Sequence, residues 1–366
     1  MRFDAEIRAQ SERLFKFFQG AGALPVETDM LQPADTLLDL YGEDIRARAY
    51  VTSDPLRGEV MLRPDFTVPV VRMHLDEGAD QGRYTYMGKV FRQQEHEQGR
   101  PNEYFQVGYE QFGDADREQA DADVFALFDE VLSPLGLRAA TGDMGILLAA
   151  VDGLSTTDKR KAALRRHLWR PRRFRALIDR FGGRSPAPAS RQNLLAQVAE
   201  QGVDAVLAAN GPAIGLRSQA EVAARIEALQ EDAAAAALSQ TELEILDQIL
   251  GLRETAPNAL EQLRDIAVDM PAIADAVERL EKRLAALGAR GVDVDNLDFE
   301  ASYGRTTMEY YDGFVFGFYN ETRLDLPPVA SGGRYDALTG VLGQAMPAVG
   351  GVVRPAEVLL LTKGGK

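Results

Sequence analysis

The chain has 366 residues, of which 45% are hydrophobic, carries a formal net charge of −15 and contains no cysteine. This length is enough for two or three packed units, while the acidic balance disfavours nucleic acid as a partner. The lack of cysteine excludes disulfides, thiolate nucleophiles and cysteine-ligated zinc. The three histidines, His74, His96 and His167, are spaced too widely to predict a metal site.

The N-terminal segment predicts a helix. Residues 4–20 place Ile7, Leu14 and Phe18 on or near one face, and Gly20 is expected to end the helix. The segment lacks the apolar stretch of a secretory signal, and no apolar run in the chain approaches the ~20 residues of a membrane span. We therefore expect a cytoplasmic protein without membrane contact.

Short strand-like segments follow, up to about residue 113. The stretch "EVMLRPDFTVPVV" begins as a strand, and the residues after Pro69 are expected to turn into a helix. Because alternate residues of a strand share a face, Arg63, Asp65 and Thr67 are predicted to lie together. That face would carry a cation, a carboxylate and a hydroxyl group.

The segment from Val90 to Gly113 predicts a hairpin of two strands joined by a polar turn. In "EYFQVGYEQFG", alternation places Gln106, Gly108 and Glu110 on one face. Since glycine has no side chain, the amide and the carboxylate would flank a hollow for a small polar ligand. A half-solvated strand whose polar residues face water is the commoner alternative for one isolated strand.

The middle of the chain is predicted to be helical. Residues 117–135 show helical periodicity, and from 141 to about 290 strand signals are scarce and alanine is abundant. We therefore predict a sheet-based core formed by residues 1–140 and 295–366, interrupted by a mainly helical insertion at 141–294.

A basic segment, residues 159–175, interrupts this acidic chain and holds nine Lys and Arg residues. A solvated helix face is the commoner outcome for such a run. The alternative is a docking site for an acidic partner or for phosphate groups.

Near the C-terminus, the stretch "MEYYDGFVFGFY" repeats the pattern of the hairpin strand. As a strand it would place Glu309, Tyr311 and Gly313 on one face, with glycine again beside a polar aromatic side chain. Three segments with recessed polar faces would suit a ligand that has an ammonium group and further donors. Carboxylates would bind the positive end, and hydroxyl and amide groups would orient the ligand.

Four stretches taken together resemble the class II motifs of histidyl-tRNA synthetases. They are "VMLRPDFT", "YTYMGKVFRQQEHEQGRPNEYFQVGYEQFG", "TTMEYYDGFVF" and "SGGRYDALTGVLG…PAVGGVVRPAEVLLL", and their order and spacing match along residues 1–140 and 295–361. The resemblance implies an α+β fold of the class II aminoacyl-tRNA synthetase type, with an antiparallel sheet of six or seven strands flanked by helices. It implies no anticodon-binding domain, because the sequence stops at Lys366, where a synthetase would continue.

Carried over position by position, the resemblance implies a histidine pocket. Asp65, Thr67 and Gln106 would meet the α-ammonium group, although this aspartate is one methylene shorter than the usual glutamate. Glu110 and Tyr311 would bracket the two imidazole nitrogens. Tyr310 is expected to be a further histidine-binding residue.

The positions that bind ATP in the synthetases depart from the family pattern. Gln94 replaces a glutamate of motif 2, and Glu357 replaces a nucleotide-binding arginine. Thr306 stands where another arginine is expected, with Arg305 one step out of register. A unit charge at about 4 Å in an effective dielectric near 20 contributes about 4 kcal/mol, so these changes would oppose the charge that develops during adenylation.

Arg92 and Arg100 remain as possible phosphate ligands but would not offset this loss. The whole pattern therefore resembles the family of ATP phosphoribosyltransferase regulatory subunits, non-catalytic paralogues of the synthetase core. This resemblance implies no catalytic residue, no cofactor and no tRNA, a role in the first step of histidine biosynthesis, and L-histidine as effector. It also implies a homodimer through the core and a hetero-oligomer with a short-form catalytic subunit. The alternative is an active histidine-adenylating enzyme without the anticodon domain.

Overall fold

The computed structural model describes residues 2–34, 48–93, 101–211, 215–305, 309–323 and 325–364. Its helices are α1 (Arg2–Gly20), α2 (Thr67–Glu77), α3 (Arg117–Leu132), α4 (Met144–Gly153), α5 (Asp158–Arg166), α6 (Pro171–Phe181), α7 (Ala189–Gln201), α8 (Val203–Ala209), α9 (Gln219–Ala234), α10 (Gln240–Gly251), α11 (Ala256–Asp269), α12 (Ala274–Ala289), α13 (Asp336–Val341) and α14 (Pro355–Gly364). Its strands are β1 (Leu24–Pro25), β2 (Leu31–Pro33), β3 (Val51–Asp54), β4 (Gly58–Leu62), β5 (Gly82–Phe91), β6 (Glu103–Phe112), β7 (Arg138–Asp143), β8 (Arg253–Thr255), β9 (Asp298–Glu300), β10 (Phe314–Tyr319), β11 (Ala330–Arg334) and β12 (Ala348–Val353). In these ranges no helix is both long and apolar enough to cross a bilayer.

The main sheet has the strand order β1-β5-β6-β12-β11-β10-β7-β9-β8. The α+β class, with a sheet flanked by helices, is confirmed. The sheet is mixed rather than wholly antiparallel, because β1 pairs with β5, and β7 with β9, in parallel. In the described ranges it also has nine strands instead of six or seven. The additional width includes β1, β8 and β9, which have only two or three residues each, too few for periodicity to reveal.

The predicted hairpin is confirmed as β5 and β6, which pair antiparallel from Gly82 opposite Phe112 to Phe91 opposite Glu103. On one side of this hairpin lies the N-terminal helix α1, which buries Leu14 and Phe18. Two ten-residue strands paired in this register hold the site residues that they carry in a fixed arrangement.

The stretch predicted to continue as a strand through Thr67 ends earlier. Strand β4, in a separate three-stranded sheet ordered β2-β4-β3, stops at Leu62. Helix α2 already begins at Thr67, because proline at position 69 is tolerated in the first turn of a helix. Arg63 and Thr67 therefore do not share a strand face. The Arg63 guanidinium lies 3.9 Å from the centre of the Phe66 ring, and its Nε donates to the backbone oxygen of Lys89 at 3.0 Å.

The strand predicted from "MEYYDGFVFGFY" also begins later than expected, at Phe314. The carboxylate of Asp312 accepts hydrogen bonds from the backbone nitrogens of Asp336, at 3.1 Å, and Ala337, at 2.6 Å. This holds the residues before Gly313 at the start of α13 instead of in the sheet. Glu309 and Tyr311 are thus outside β10, and strand alternation does not determine their directions.

The segment 141–294 contains helices α4 to α12, the end of β7 and the short strand β8. Most of its helices bury apolar residues in the same core as the main sheet, among them Ile146, Ile249 and Leu280. Helices α7, α8 and α9 instead bury a second, small cluster formed by Val198, Val206 and Ile226. Within this segment, one group of helices is therefore packed largely on itself.

Candidate functional site

The candidate site is built around Glu110, a residue of β6 that is only 1% exposed. Its Oε1 accepts a hydrogen bond from Thr67 Oγ1 at 3.0 Å and another from Tyr86 Oη at 2.9 Å. Its Oε2 accepts one from Tyr335 Oη at 2.5 Å. Three hydroxyl groups from α2, β5 and the turn after β11 thus hold this carboxylate. In the described residues no cationic side chain donates to it.

Glycines opposite Glu110 and Tyr86 make this packing possible. Gly350 of β12 pairs with Glu110, and a Cβ atom there would lie 1.7 Å from Glu110 Oε2. Gly108 pairs with Tyr86, and its Cβ would lie 2.2 Å from the tyrosine ring. The hollow predicted at Gly108 is therefore filled by the protein itself. The expectation that Gly108 leaves room for a ligand is wrong, because a cross-strand tyrosine occupies the space.

The glycines of the C-terminal stretch behave in the same way. A Cβ at Gly313 would lie 3.1 Å from Cδ of Arg334, and a Cβ at Gly317 would lie 2.0 Å from the hydroxyl of Tyr303. These glycines accommodate neighbouring side chains of the protein and do not open a ligand space.

Two adjacent tyrosines complete the aromatic lining. The rings of Tyr310 and Tyr311 lie 5.0 Å apart, and the Tyr310 ring lies 5.8 Å from that of Tyr335, edge to face in both cases. Burial raises the pKa of both Tyr310 and Tyr311, and the carboxylates of Asp65 and Glu110 raise both further. The structure therefore brings these two tyrosines into electrostatic range of both predicted carboxylates.

Gln106 is the most unusual member of the site. Its side chain is completely buried, and in the described residues neither its Nε2 nor its Oε1 atom has a hydrogen-bond partner. A buried amide without partners costs about 1–3 kcal/mol, and a polar ligand that bonded to this side chain would remove that cost. The burial of Gln106 and Glu110 confirms that β6 directs both side chains inward rather than toward water.

At the edge of the site, Asp65 is 2% exposed and its Oδ2 lies 3.9 Å from Nη2 of Arg92. The Nε of Arg92 donates to the backbone oxygen of Pro64 at 2.6 Å. Arg92 thus supports the segment that carries Asp65. Its possible role as a phosphate ligand stays a prediction.

The electrostatics of the site are dominated by burial. Burial raises the pKa of Glu110, hydrogen bonds from Tyr335, Tyr86 and Thr67 lower it, Asp65 raises it again, and the net value is about 7. At neutral pH, Glu110 is therefore poised between its neutral and its charged form.

Of the positions at which the sequence departs from the synthetases, Gln94 and Thr306 lie outside the described residues, as does Arg100. Glu357 lies in the first turn of α14. Arg305 is 7% exposed and donates from Nε to the backbone oxygen of Leu168 at 2.8 Å. Burial, with a smaller effect of Arg175, lowers the pKa of Arg305 to about 10.

Sequence reasoning missed Tyr86 and Tyr335, the two tyrosines that bind Glu110. A signal for Tyr86 exists, because the antiparallel register of the predicted hairpin places a large residue opposite Gly108. For Tyr335 there is no comparable local signal, since it is 225 residues from Glu110 in sequence.

The basic segment 159–175 is extensively paired within the chain. Ion pairs join Lys159 to Glu231, Arg160 to Asp232, Arg165 to Asp152, Arg170 to Glu309 and Arg175 to Asp247. Arg166, Arg172 and Arg173 are exposed and form no ion pair with any described residue. Whether the segment contacts a partner stays a prediction.

No three histidine or acidic side chains in the described ranges are grouped so that they could hold a metal ion. Around Glu110, three hydroxyl groups surround one buried carboxylate, and the Asp65 carboxylate lies within electrostatic range of it. Such a set can interact with a small polar or partly cationic molecule.

Comparison with known proteins agrees with the fold. The family model described as histidyl-tRNA synthetase matches residues 3–237 and 218–358. A solved structure from Bacillus halodurans, described as an ATP phosphoribosyltransferase regulatory subunit/histidyl-tRNA synthetase, has a TM-score of 0.65 at 22% identity and covers 99% of this chain and 80% of its own. A histidine–tRNA ligase subunit from Alicyclobacillus acidocaldarius has a TM-score of 0.59 at 23% identity, with 99% and 94% covered.

A closer sequence relative is the protein of Brucella canis named ATP phosphoribosyltransferase regulatory subunit. It is 31% identical over 341 residues, which cover 89% of each chain. The two solved structures are too distant in sequence to support more than the fold, whereas this match extends over nearly the whole chain. The chain therefore belongs to the family of ATP phosphoribosyltransferase regulatory subunits, which share the histidyl-tRNA synthetase fold.

Proposed function

We propose that this chain is a non-catalytic regulatory subunit of ATP phosphoribosyltransferase and binds L-histidine in the site around Glu110. It would act with a short-form catalytic subunit in the first step of histidine biosynthesis, in the cytoplasm, and transmit feedback regulation by histidine. The observation that carries the proposal is the buried inner face of β6: it carries the Gln106 amide, which has no hydrogen-bond partner among the described residues, and, four residues on, the Glu110 carboxylate, to which no cation of the described residues donates.

The chemistry of the site supports histidine as the ligand. The carboxylate of Asp65 suits the α-ammonium group, and Gln106 offers both a donor and an acceptor to the polar end of the ligand. Glu110 and Tyr311 suit the imidazole, because Glu110 can accept a hydrogen bond from a ring N–H when it is charged and donate one to a ring nitrogen when it is protonated, and its pKa of about 7 makes both forms accessible near neutral pH.

Two features support the loss of aminoacylation. The sequence has Glu357 where a synthetase has a nucleotide-binding arginine, and the charge reversal opposes phosphate binding. Arg305, which precedes Thr306 in the sequence, donates a hydrogen bond to the backbone oxygen of Leu168. Its guanidinium stacks over Phe174, 4.8 Å from the ring centre. This arginine is thus already used in packing the helical segment.

Regulation requires histidine to bind one state of the assembly more tightly than another, with typical coupling energies of about 1–3 kcal/mol. We include in the proposal a homodimer through the synthetase-like core and the absence of tRNA binding. The net charge of −15 supports the latter, because it repels a phosphate backbone.

Titration calorimetry with histidine tests the pocket. We expect Glu110→Gln and Tyr311→Phe each to weaken histidine binding about tenfold or more, the usual effect of losing a hydrogen bond to a charged or strongly polarised group. Glu103→Gln and Tyr109→Phe are matched controls, because both residues lie in β6 and their side chains point to the face of the strand opposite to that of Glu110. Unchanged affinity in both site variants would contradict the proposed pocket.

A reconstitution experiment tests the regulatory role. The purified chain is mixed with the short-form catalytic subunit, and phosphoribosyltransferase activity is measured with and without histidine. We expect co-purification and activity that depends on this chain. Histidine-dependent exchange between ATP and pyrophosphate by this chain alone would instead favour the adenylating enzyme.

A further inference from the structure

A second group of charges lies in the helical segment, on helices that contribute no residue to the site around Glu110. We call it the arginine cluster: Arg160 of α5, Arg180 of α6 and Arg191 of α7, arranged about Asp232 of α9. Arg160 is 7% exposed, and its Nε donates to Asp232 Oδ1 at 2.5 Å. Arg191 Nη2 donates to Asp232 Oδ2, also at 2.5 Å. One carboxylate is therefore shared by two guanidinium groups.

Arg180 adds a third positive charge to the same place. Its guanidinium lies 5.2 Å from the centre of the Phe181 ring, and that of Arg160 lies 4.8 Å from the same centre. Burial lowers the pKa of Arg180, the charges of Arg191 and Arg160 lower it further, and only Asp232 raises it. The three guanidinium groups thus repel one another around a single carboxylate.

The donors of the arginine cluster exceed its acceptors. The Nε atoms of Arg180 and Arg191 are buried and have no hydrogen-bond partner in the described part of the chain. Three guanidinium charges against one carboxylate leave a formal charge of +2, in a chain whose total is −15. Buried donors and unbalanced charge at one point are the features of an anion site.

We propose that the arginine cluster binds the phosphoryl group of a small molecule. A phosphate ester carries about −1.5 to −2 charges at neutral pH, which matches the excess of +2, whereas a carboxylate would leave one positive charge uncompensated. Guanidinium groups also present the paired donors that fit phosphate oxygens. Arg180 and Arg191 hold the anion, and Arg160, which donates to Asp232 Oδ1 and to the backbone oxygens of Ala236 and Asp232, positions the carboxylate.

The position of the site gives it a mechanical consequence. Helices α7, α8 and α9 have their own small apolar cluster, and the arginine cluster ties α9 to α5 and α7 through Asp232, with Arg180 of α6 within electrostatic range. A bound phosphoryl group would add a second bridge between these helices. It would therefore stabilise the folded chain in proportion to its occupancy.

The test is titration calorimetry of the full chain with inorganic phosphate as the probe, with sodium chloride added to keep the ionic strength constant. We expect saturable binding at one site. Arg180→Gln should weaken phosphate binding about tenfold or more, because one charge-assisted contact is lost. Arg191→Lys keeps the positive charge but loses the paired N–H donors of the guanidinium, so it should weaken phosphate binding less than Arg180→Gln does. This second variant keeps the test valid if Arg180→Gln fails to fold.

Arg173→Gln is the matched control, since Arg173 lies on the same helix as Arg180, is exposed and forms no ion pair in the part of the chain that the structure describes. It should change phosphate affinity by less than about twofold, as expected for a screened surface charge. Asp232→Asn removes the carboxylate that competes with phosphate for the arginines. We therefore expect it to tighten phosphate binding, even if the variant is less stable than the unmodified protein.

Three outcomes would overturn the proposal. The first is the absence of saturable binding up to about 10 mM phosphate. The second is an equal loss of affinity in Arg173→Gln and Arg180→Gln. The third is acetate binding as tightly as phosphate, which would show that the charge of the ligand does not matter.

Discussion

Two buried carboxylates in this chain are compensated in opposite ways. Asp121 of α3 is fully buried and accepts hydrogen bonds from Nε of Arg283 and Nε of Arg334, both at 2.8 Å. Glu110 of β6 is 1% exposed and, within the described ranges, accepts hydrogen bonds from hydroxyl groups alone. The first carboxylate is neutralised by two cations, and the second by dipoles alone.

The consequences for protonation differ accordingly. Burial lowers the pKa of Arg283, but Asp143 and Asp121 more than reverse this, so the guanidinium stays charged. The pKa of Glu110 is raised to about 7 by burial, despite its three hydroxyl donors. A charge matched by a fixed counter-charge serves the fold, while one held only by hydroxyl groups can still respond to a ligand or a proton.

Removing one arginine from the network around Asp121 should have the largest effect. Arg283 is 2% exposed and also donates from Nη1 to Asp143 Oδ2 at 2.8 Å, so Arg283→Met leaves two buried carboxylates short of a cation. We expect the free energy of unfolding to fall by about 3–5 kcal/mol, as measured by urea denaturation. Lys282→Met, in the same helix but exposed and paired with Glu278, should cost less than about 1 kcal/mol. Similar losses of stability in both variants would show that the buried ion pairs of Arg283 contribute no more than an exposed ion pair.

The pH dependence of stability should separate the two carboxylates further. Native Glu110 holds its proton up to about pH 7, whereas the unfolded chain releases it near 4.5. The native state therefore binds more protons between these values, and this residue makes the protein less stable as the pH rises through the interval.

Glu110→Gln removes that titration. Its free energy of unfolding relative to the unmodified protein should therefore increase by about 3 kcal/mol between pH 5 and pH 8, since one pKa unit corresponds to about 1.4 kcal/mol. Urea denaturation at both pH values measures the difference. Glu103→Gln, an exposed position that pairs with Lys89, should change it by less than about 0.5 kcal/mol. A flat difference for Glu110→Gln would show that Glu110 is compensated after all.

A smaller effect is expected at Gln106. Gln106→Met replaces a buried amide without partners by a side chain of similar shape, so the unliganded protein should gain about 1–2 kcal/mol in its free energy of unfolding. Histidine binding should weaken in the same variant. Gln111→Met is the matched control in the same strand, because its amide donates to Asp114 at 3.2 Å and its replacement should destabilise the protein. A loss of stability at both positions would argue against Gln106 as a ligand-binding amide.

Much of this architecture could be predicted from local patterns. Alternation in "EYFQVGYEQFG" correctly placed Gln106 and Glu110 on the inner face of a hairpin strand, because strand parity depends only on neighbouring residues. Alternation failed at Tyr311, where hydrogen bonds from the backbone of Asp336 and Ala337 to Asp312 hold the segment outside the strand, and at Thr67, where helix α2 begins. The resemblance to a known family, and not alternation, assigned these two residues to a histidine pocket.

The sequence by itself determined the family, the strand that carries Glu110 and the kinds of polar group available to a ligand. Tertiary structure alone decided what surrounds them: Tyr86 fills the space at Gly108, Tyr335 reaches Glu110 across 225 residues, and Arg305 turns to the helical segment. Periodicity records only short-range geometry, whereas burial and cross-strand register depend on segments far apart in the chain. The raised pKa of Glu110 belongs to this second kind of information, because desolvation exists only once the whole site is closed.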